Sequence, residues 1–186
     1  MKNKEIIEEL EIPEGVETSM DKITFKVKGT STELSRKFFY PGVNISIKQN
    51  KITLDAKKPT KREKRMIGTF KSHIKNMLYG ASNKFVYKLK ICSGHFPMSV
   101  AQSDQKIIIK NFLGEKIPRQ SKILPDTTVK IEGDLIIVES NNKEYAGQTA
   151  ANLEKATRIS KRDRRRFQDG IYITEKPKIK WIKQLT

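Results

Sequence analysis

Apolar and polar residues alternate along Ile23-Thr24-Phe25-Lys26-Val27-Lys28, and again along Val43-Asn44-Ile45-Ser46-Ile47 and Ile52-Thr53-Leu54. This two-residue period predicts strands with one buried face. The last two are separated by Lys48-Gln49-Asn50-Lys51, a polar connection short enough for a hairpin. Past Pro59-Thr60 the period changes. Ile67, Phe70, Ile74 and Met77 recur at spacings of three, four and three, which puts one apolar stripe on a helix running to Leu78. Thr60 is the expected N-cap with Glu63 completing a capping box, and Gly80 is expected to end the helix.

The same order then recurs. Ile107-Ile108-Ile109-Lys110 answers Ile23-Thr24-Phe25-Lys26 at an offset of 84, and at that offset Val129, Ile131, Ile136 and Val138 fall on Ile45, Ile47, Ile52 and Leu54. A second helix follows, with Ala146, Ala150, Leu153 and Thr157 on one face; with its connecting loop one residue shorter, Ala150 and Leu153 fall on Ile67 and Phe70. Strand, hairpin and helix in one order at a nearly constant offset are what an internal duplication leaves behind. Two copies are too few for a solenoid. The predicted fold is therefore α+β, two tandem duplicated small domains, each an antiparallel sheet with one main helix on one face. Their expected bounds are residues 1–82 and 83–186, joined by the short linker Gly80-Ala81-Ser82-Asn83. Phe85 to Cys92 alternates well and opens the second domain; it has no counterpart in the first unless the acidic N-terminus supplies one.

Charge changes the picture from fold to partner. The chain of 186 residues has 38 Lys plus Arg against 21 Asp plus Glu, a net +17, more than solubility requires. A polyanion, nucleic acid or anionic membrane, is the economical explanation. Residues 1–82 hold 17 bases and 10 acids and residues 83–186 hold 21 and 11, but the first 21 residues have two lysines against seven acids, and that start should stay off the polyanion. The densest run is Lys161-Arg162-Asp163-Arg164-Arg165-Arg166-Phe167-Gln168-Asp169-Gly170-Ile171-Tyr172, five cations in six residues followed by an aromatic, glycine-bearing segment. Guanidinium forks match phosphate oxygens two at a time, whereas a merely solvated tail would more often use lysine and glutamate.

The expected RNA-binding residues are thus Lys161, Arg162, Arg164, Arg165 and Arg166, with Lys116, Arg119 and Arg158 beside them in the second domain. Phe167 and Tyr172 are expected to pin the basic loop to the sheet. A secondary basic cluster, Lys61, Arg62, Lys64 and Arg65, opens the first helix, where cations oppose the helix dipole and call for an external anion or simple tolerance in solvent. Near the C-terminus, Ile179-Lys180-Trp181-Ile182-Lys183 interleaves cations with an aromatic and suits stacking on an unpaired base, contact with a neighbouring protein, or a terminal strand.

Other chemistry is thinly represented. One cysteine, Cys92, excludes an intramolecular disulfide framework and a cysteine-based zinc site, and two scattered histidines, His73 and His95, give no expected metal. Apolar runs fall short of the roughly 20 residues that span a bilayer, so a soluble, unsecreted protein without membrane contact is expected. Gly114-Glu115-Lys116 lacks the remainder of a phosphate loop, and the spacing of Ser, His, Asp and Cys suggests neither catalysis nor a cofactor.

His73-Ile74-Lys75-Asn76-Met77, His95-Phe96-Pro97, Asn111-Phe112-Leu113-Gly114-Glu115-Lys116 and Arg164-Arg165-Arg166-Phe167-Gln168-Asp169-Gly170-Ile171-Tyr172 together carry a resemblance. Over essentially its whole length the chain resembles the sixth large-subunit ribosomal protein family, in its archaeal and eukaryotic cytosolic branch, whose eukaryotic member is numbered nine. The resemblance implies a duplicated α+β fold and a structural, non-enzymatic constituent of the cytoplasmic large subunit. It implies that the C-terminal copy contacts large-subunit rRNA near the sarcin–ricin loop and the stalk base, where translation factors dock, with neighbouring ribosomal proteins as further partners and no role for DNA. The N-terminal copy is then accessory. Two alternatives stand beside this reading: an RNA-modifying or RNA-processing enzyme, which needs a cleft with converging titratable groups, and an architectural RNA-binding protein outside the ribosome.

Overall fold

The computed structural model describes residues 5–29, 32–48, 50–57 and 59–179. The chain divides between Asn83 and Lys84 into two compact units. In the first, strands β1 (Ile6–Glu11), β2 (Glu17–Asp21), β3 (Thr24–Lys28), β4 (Glu33–Lys37), β5 (Asn44–Lys48) and β6 (Lys51–Ala56) precede helix α1 (Lys61–Ser82). The strands form two antiparallel sheets, β1-β6-β5 and β2-β3-β4, where the sequence suggested one. Phe25 and Val27 from one sheet, Ile52 and Leu54 from the other, and Ile67, Phe70 and Ile74 from α1 make the core. Phe38 meets Phe25 and Phe70 edge-on at centroid distances of 6.1 and 5.0 Å, arrangements worth about 0.5–1.5 kcal/mol each beyond area burial.

The start of α1 follows the sequence and its end does not. The Thr60 N–H donates to Glu63 Oε2 at 2.8 Å and the Thr60 side chain accepts from the Glu63 N–H, completing the expected capping box, while the Arg62 N–H also donates to Thr60 Oγ1 at 3.2 Å. Gly80, however, lies inside the helix and is buried. A glycine stops a helix by turning left-handed just past its end, and Gly80 does not take a positive φ. Gly80, Ala81 and Ser82 of the anticipated linker are therefore in the last turn of α1, and only Asn83 and Lys84 separate the helix from the next strand.

The second unit contains β7 (Phe85–Cys92), β8 (Ser99–Ser103), β9 (Lys106–Lys110), a 3-10 turn (Phe112–Gly114), β10 (Arg119–Lys122), β11 (Thr127–Glu132), β12 (Leu135–Ser140), α2 (Lys143–Ala156) and β13 (Gly170–Glu175). Its sheets are β11-β12-β7-β13 and β10-β9-β8. With β13 set aside, each strand and pairing of the first unit has a counterpart here. Ile45 opposes Leu54 and Ile47 opposes Ile52, as Val129 opposes Val138 and Ile131 opposes Ile136, so this hairpin keeps the offset of 84. Leu10 opposes Ile52 as Leu89 opposes Ile136, so β1, in the acidic N-terminus, is the counterpart of β7.

One equivalence shifts. Asp21 opposes Thr24 across the β2–β3 turn and Ser103 opposes Lys106 across the β8–β9 turn, with Lys22 and Asp104 at φ 51° and 48°. Phe25 therefore corresponds to Ile107 and Val27 to Ile109, an offset of 82 where the alternation suggested 84. A slip of two residues keeps every side chain on its own face, so alternation alone cannot detect it.

Candidate nucleic-acid interface

The arginine-rich run is an excursion of the second unit between α2 and β13. Its base is closed by Thr157, which is buried at the end of α2 and whose hydroxyl accepts from the Ile171 N–H at 2.9 Å. At the far end Asp163 organises the turn. Its carbonyl accepts from the N–H groups of Arg166 and Phe167 at 3.2 and 2.9 Å, and its carboxylate accepts from the Arg165 N–H at 2.9 Å. Arg165 also returns its fork to that carboxylate, Nε at 3.2 Å and Nη2 at 3.0 Å, and these bonds hold the Asp163 carboxyl below its ordinary range. The one acid inside the run thus shapes it.

Asp169 anchors the return to the sheet. It is 4% exposed and accepts from the Gly94 N–H, from the His95 N–H at 3.0 Å and from His95 Nδ1 at 2.5 Å. Burial acts to raise its carboxyl, but the hydrogen bonds from His95 and Gly94 outweigh it and keep the group below the usual aspartate range. The His95 ring lies 4.7 Å from Phe167, and the Arg162 guanidinium is 5.1 Å from the centre of the same ring. The Tyr172 hydroxyl donates to the Gln168 carbonyl at 3.1 Å. Phe167 and Tyr172 therefore fasten the loop, as expected of them. Next to them Gly170 takes φ +157°, and a Cβ there would come within 3.2 Å of the Tyr172 ring.

Held in this way, Lys161, Arg162, Arg164, Arg165 and Arg166 are all exposed. Arg165 keeps three of its five N–H groups for another partner, since two face Asp163. Arg166 lines a shallow groove with Lys90, His95 and Tyr172. Lys90 and the His95–Asp169 pair were not picked out from the sequence as parts of this surface. The only available signal was a carboxylate followed by glycine, Asp169-Gly170, after a basic run. Cys92 is half-buried at the same groove.

The remaining candidates separate. Arg119 is turned inward: Nε and Nη2 donate to Glu115 at 2.7 and 2.6 Å, Nη1 donates to the carbonyls of Ala156 and Arg158 at 2.9 and 3.1 Å, and the guanidinium covers the Phe112 ring at 4.2 Å. It ties the loop before β10 to the end of α2 and has few donors to offer RNA. Its hydrogen bonds hold the Glu115 carboxyl below its ordinary range against partial burial, and the charges of Arg119 and Arg162 add to that effect. Lys116 and Arg158, at the two ends of this tie, are exposed. Lys61, Arg62, Lys64 and Arg65 are exposed in the other unit, where the Glu63 carboxylate already serves the helix start and makes its neighbours' positive charge tolerable. Lys180 to Lys183 of the C-terminal motif lie outside the described residues. Among the described residues no three His, Cys, Asp or Glu side chains group so as to hold a metal, and no helix is long and apolar enough to cross a membrane.

The family model for ribosomal protein L6 matches this chain twice, over residues 12–84 and 96–170, once in each unit. Three archaeal relatives carry the name large ribosomal subunit protein uL6. That of Methanosarcina mazei is 47% identical over 173 residues, covering 93% of this chain and 98% of its own length. Those of Methanobrevibacter smithii and Methanococcus vannielii are 47% and 46% identical over 171 residues, covering 92% of this chain and 96% and 94% of their own lengths. With its repeated fold, its double match and this likeness along nearly the whole length, the chain belongs to the ribosomal protein L6 family.

Proposed function

We propose that this chain, as a structural and non-enzymatic constituent of the large ribosomal subunit in the cytoplasm, binds large-subunit rRNA chiefly through its second unit. Lys161, Arg162, Arg164 and Arg166, with the outward N–H groups of Arg165, would meet phosphates, and Lys116 and Arg158 would extend the contact. The supporting observation is that the loop bearing these cations is fixed at three points, Thr157, Asp163 and Asp169, while the cations themselves face solvent. A preorganised array loses less side-chain and loop freedom on binding than a free tail does. The first unit, with an acidic β1 and β2 segment, is accessory in RNA binding. The position that the resemblance implies, near the sarcin–ricin loop and the stalk base where it would support the factor-binding region, belongs to the same proposal, as do contacts with neighbouring ribosomal proteins.

The test is the salt dependence of binding to a large-subunit rRNA fragment. Replacing Arg162, Arg164 and Arg166 with glutamine, and leaving Arg165 to hold its turn, removes three cations; the slope of log affinity against log salt should fall in magnitude by about two to three. The set Lys61, Arg62, Lys64 and Arg65, changed in the same way, should lower affinity less. An unchanged slope in a well-folded triple variant would refute the phosphate role of this loop, and cofractionation with large subunits through a high-salt gradient checks the assembly itself.

A further inference from the structure

The two copies differ at one sheet edge. In the second unit β7 is paired with β12 on one side and β13 on the other; in the first, β1 takes the place of β7, pairs with β6, and among the described residues has no strand along its outer edge. Such an edge leaves alternate backbone N–H and C=O groups pointing outward, ready to template another strand. Among the described residues the opposite edges, β5 and β11, carry no further strand in either sheet. Among the described residues, only at β1 does the second copy show a strand that the first unit lacks.

The side chains say what would fit. With Leu10 equivalent to Leu89, the exposed residues Ile7, Glu9 and Glu11 stand where β7 carries Val86, Lys88 and Lys90. The apolar position is kept and both charges are inverted. In the second unit that charge is met across the edge, where Lys88 Nζ lies 2.9 Å from Glu175 Oε2 of β13. The same geometry at Glu9 calls for a cation on the incoming strand. Between Glu5 and Asp21 the chain offers none, with seven acids and no base. Glu9 does contact Lys51 at 3.4 Å, but both side chains are more than half exposed, and such a pair is worth too little to hold off a competitor. A second copy of β1 is a poor occupant, because its own glutamates would face these.

We propose that the outer edge of β1 is a docking site for an extended, lysine- or arginine-rich segment of another protein, which adds as an antiparallel strand with cations against Glu9 and Glu11 and an apolar side chain against Ile7. Backbone pairing supplies affinity and the inverted charges supply selectivity. Ile7, at 56% exposure, is then covered. The unit given only an accessory part in RNA binding thereby acquires a protein-binding face.

The full chain and a capped ten-residue peptide that alternates valine with lysine, except for one lysine replaced by valine to face Ile7, test this. The peptide should bind and slow amide exchange in Ile6–Glu11 and not along β5 or β11. A peptide alternating valine with glutamate should not bind, and a lysine peptide N-methylated at alternate backbone nitrogens, with its charge intact, should bind about tenfold more weakly or worse. The Glu9→Lys/Glu11→Lys chain should reverse the preference and take the glutamate peptide. Should that chain melt early, Glu11→Gln alone should still weaken the lysine peptide a few-fold. Equal binding of the N-methylated peptide, protection at another edge, or no binding of the lysine peptide would each overturn the proposal. No RNA enters the experiment, so its outcome is independent of the rRNA assignment.

Discussion

Replacing Asp169 with alanine removes the anchor between the basic loop and the segment after β7. Three donors lose a charged acceptor: the N–H groups of Gly94 and His95 and the His95 ring. Because Gly94 and His95 are themselves exposed, water can replace part of what is lost, so each bond counts at the low end of its range. About 1 kcal/mol apiece gives roughly 2–3 kcal/mol. For a unit of this size that lowers the melting midpoint by roughly 10 °C or more. Asp169→Asn keeps a carbonyl oxygen for the two backbone donors and should cost about 1 kcal/mol. The folded carboxyl lies below the ordinary aspartate range, so its contribution is complete above that range and disappears as pH falls through the folded value. Parent and Asp169→Ala chains should therefore differ most at neutral pH, and the difference should shrink as pH falls below the ordinary aspartate range. Denaturant melts across pH, with exchange rates of the Gly94 and His95 amides, make the measurement. Equal stability at pH 7 with unchanged exchange would refute the idea that this carboxylate holds the loop.

Arg119→Gln should destabilise the second unit by about 2–4 kcal/mol in urea, because it deletes the paired bonds to Glu115 and those to the Ala156 and Arg158 carbonyls, whereas Arg158→Gln should change stability by less than about 0.5 kcal/mol; similar costs would contradict the inward role of Arg119. Gly68, in mid-helix with open space where a Cβ would go, should give about 0.5–1 kcal/mol of added stability as alanine. Gly29→Ala should instead be severely destabilising, since a Cβ there would run into the backbone carbonyl of Ala81, and a neutral result in thermal melts would show that the two segments separate readily.

Much of this fold was legible because it depends on period. The Ile45–Leu54 and Val129–Val138 pairings could be read from alternation plus a short polar turn, and the stripe Ile67, Phe70, Ile74 follows from helical spacing. Three features escaped for reasons that alternation cannot address. The split into two sheets in each unit depends on which strands pair, the two-residue slip between β3 and β9 preserves every face, and Gly80 was read by residue type where backbone conformation decides. At the site the cations were visible as composition, but their sorting was not. Arg119 and Arg164 are alike in sequence; one is enclosed by carbonyls and a carboxylate and the other projects into solvent, a difference set by residues 37 and 39 positions away along the chain.

The comparison of the two copies also indicates why the arginine loop sits where it does. In the first unit α1 runs 22 residues and leads almost directly into the next strand; in the second, α2 stops after 14 and the chain makes its excursion before returning as β13. A shorter helix leaves the end of the scaffold available for a loop, and β13 gives that loop a second fixed end by pairing with β7. Without β13 the cations would hang from one end, and the contacts at Asp169, Gly170 and Tyr172 would have no strand to register them. The extra strand and the exposed arginines are in this sense one addition to a common scaffold. The edge of β1, with its inverted charges, is the corresponding place where the described residues of the first copy hold no such strand.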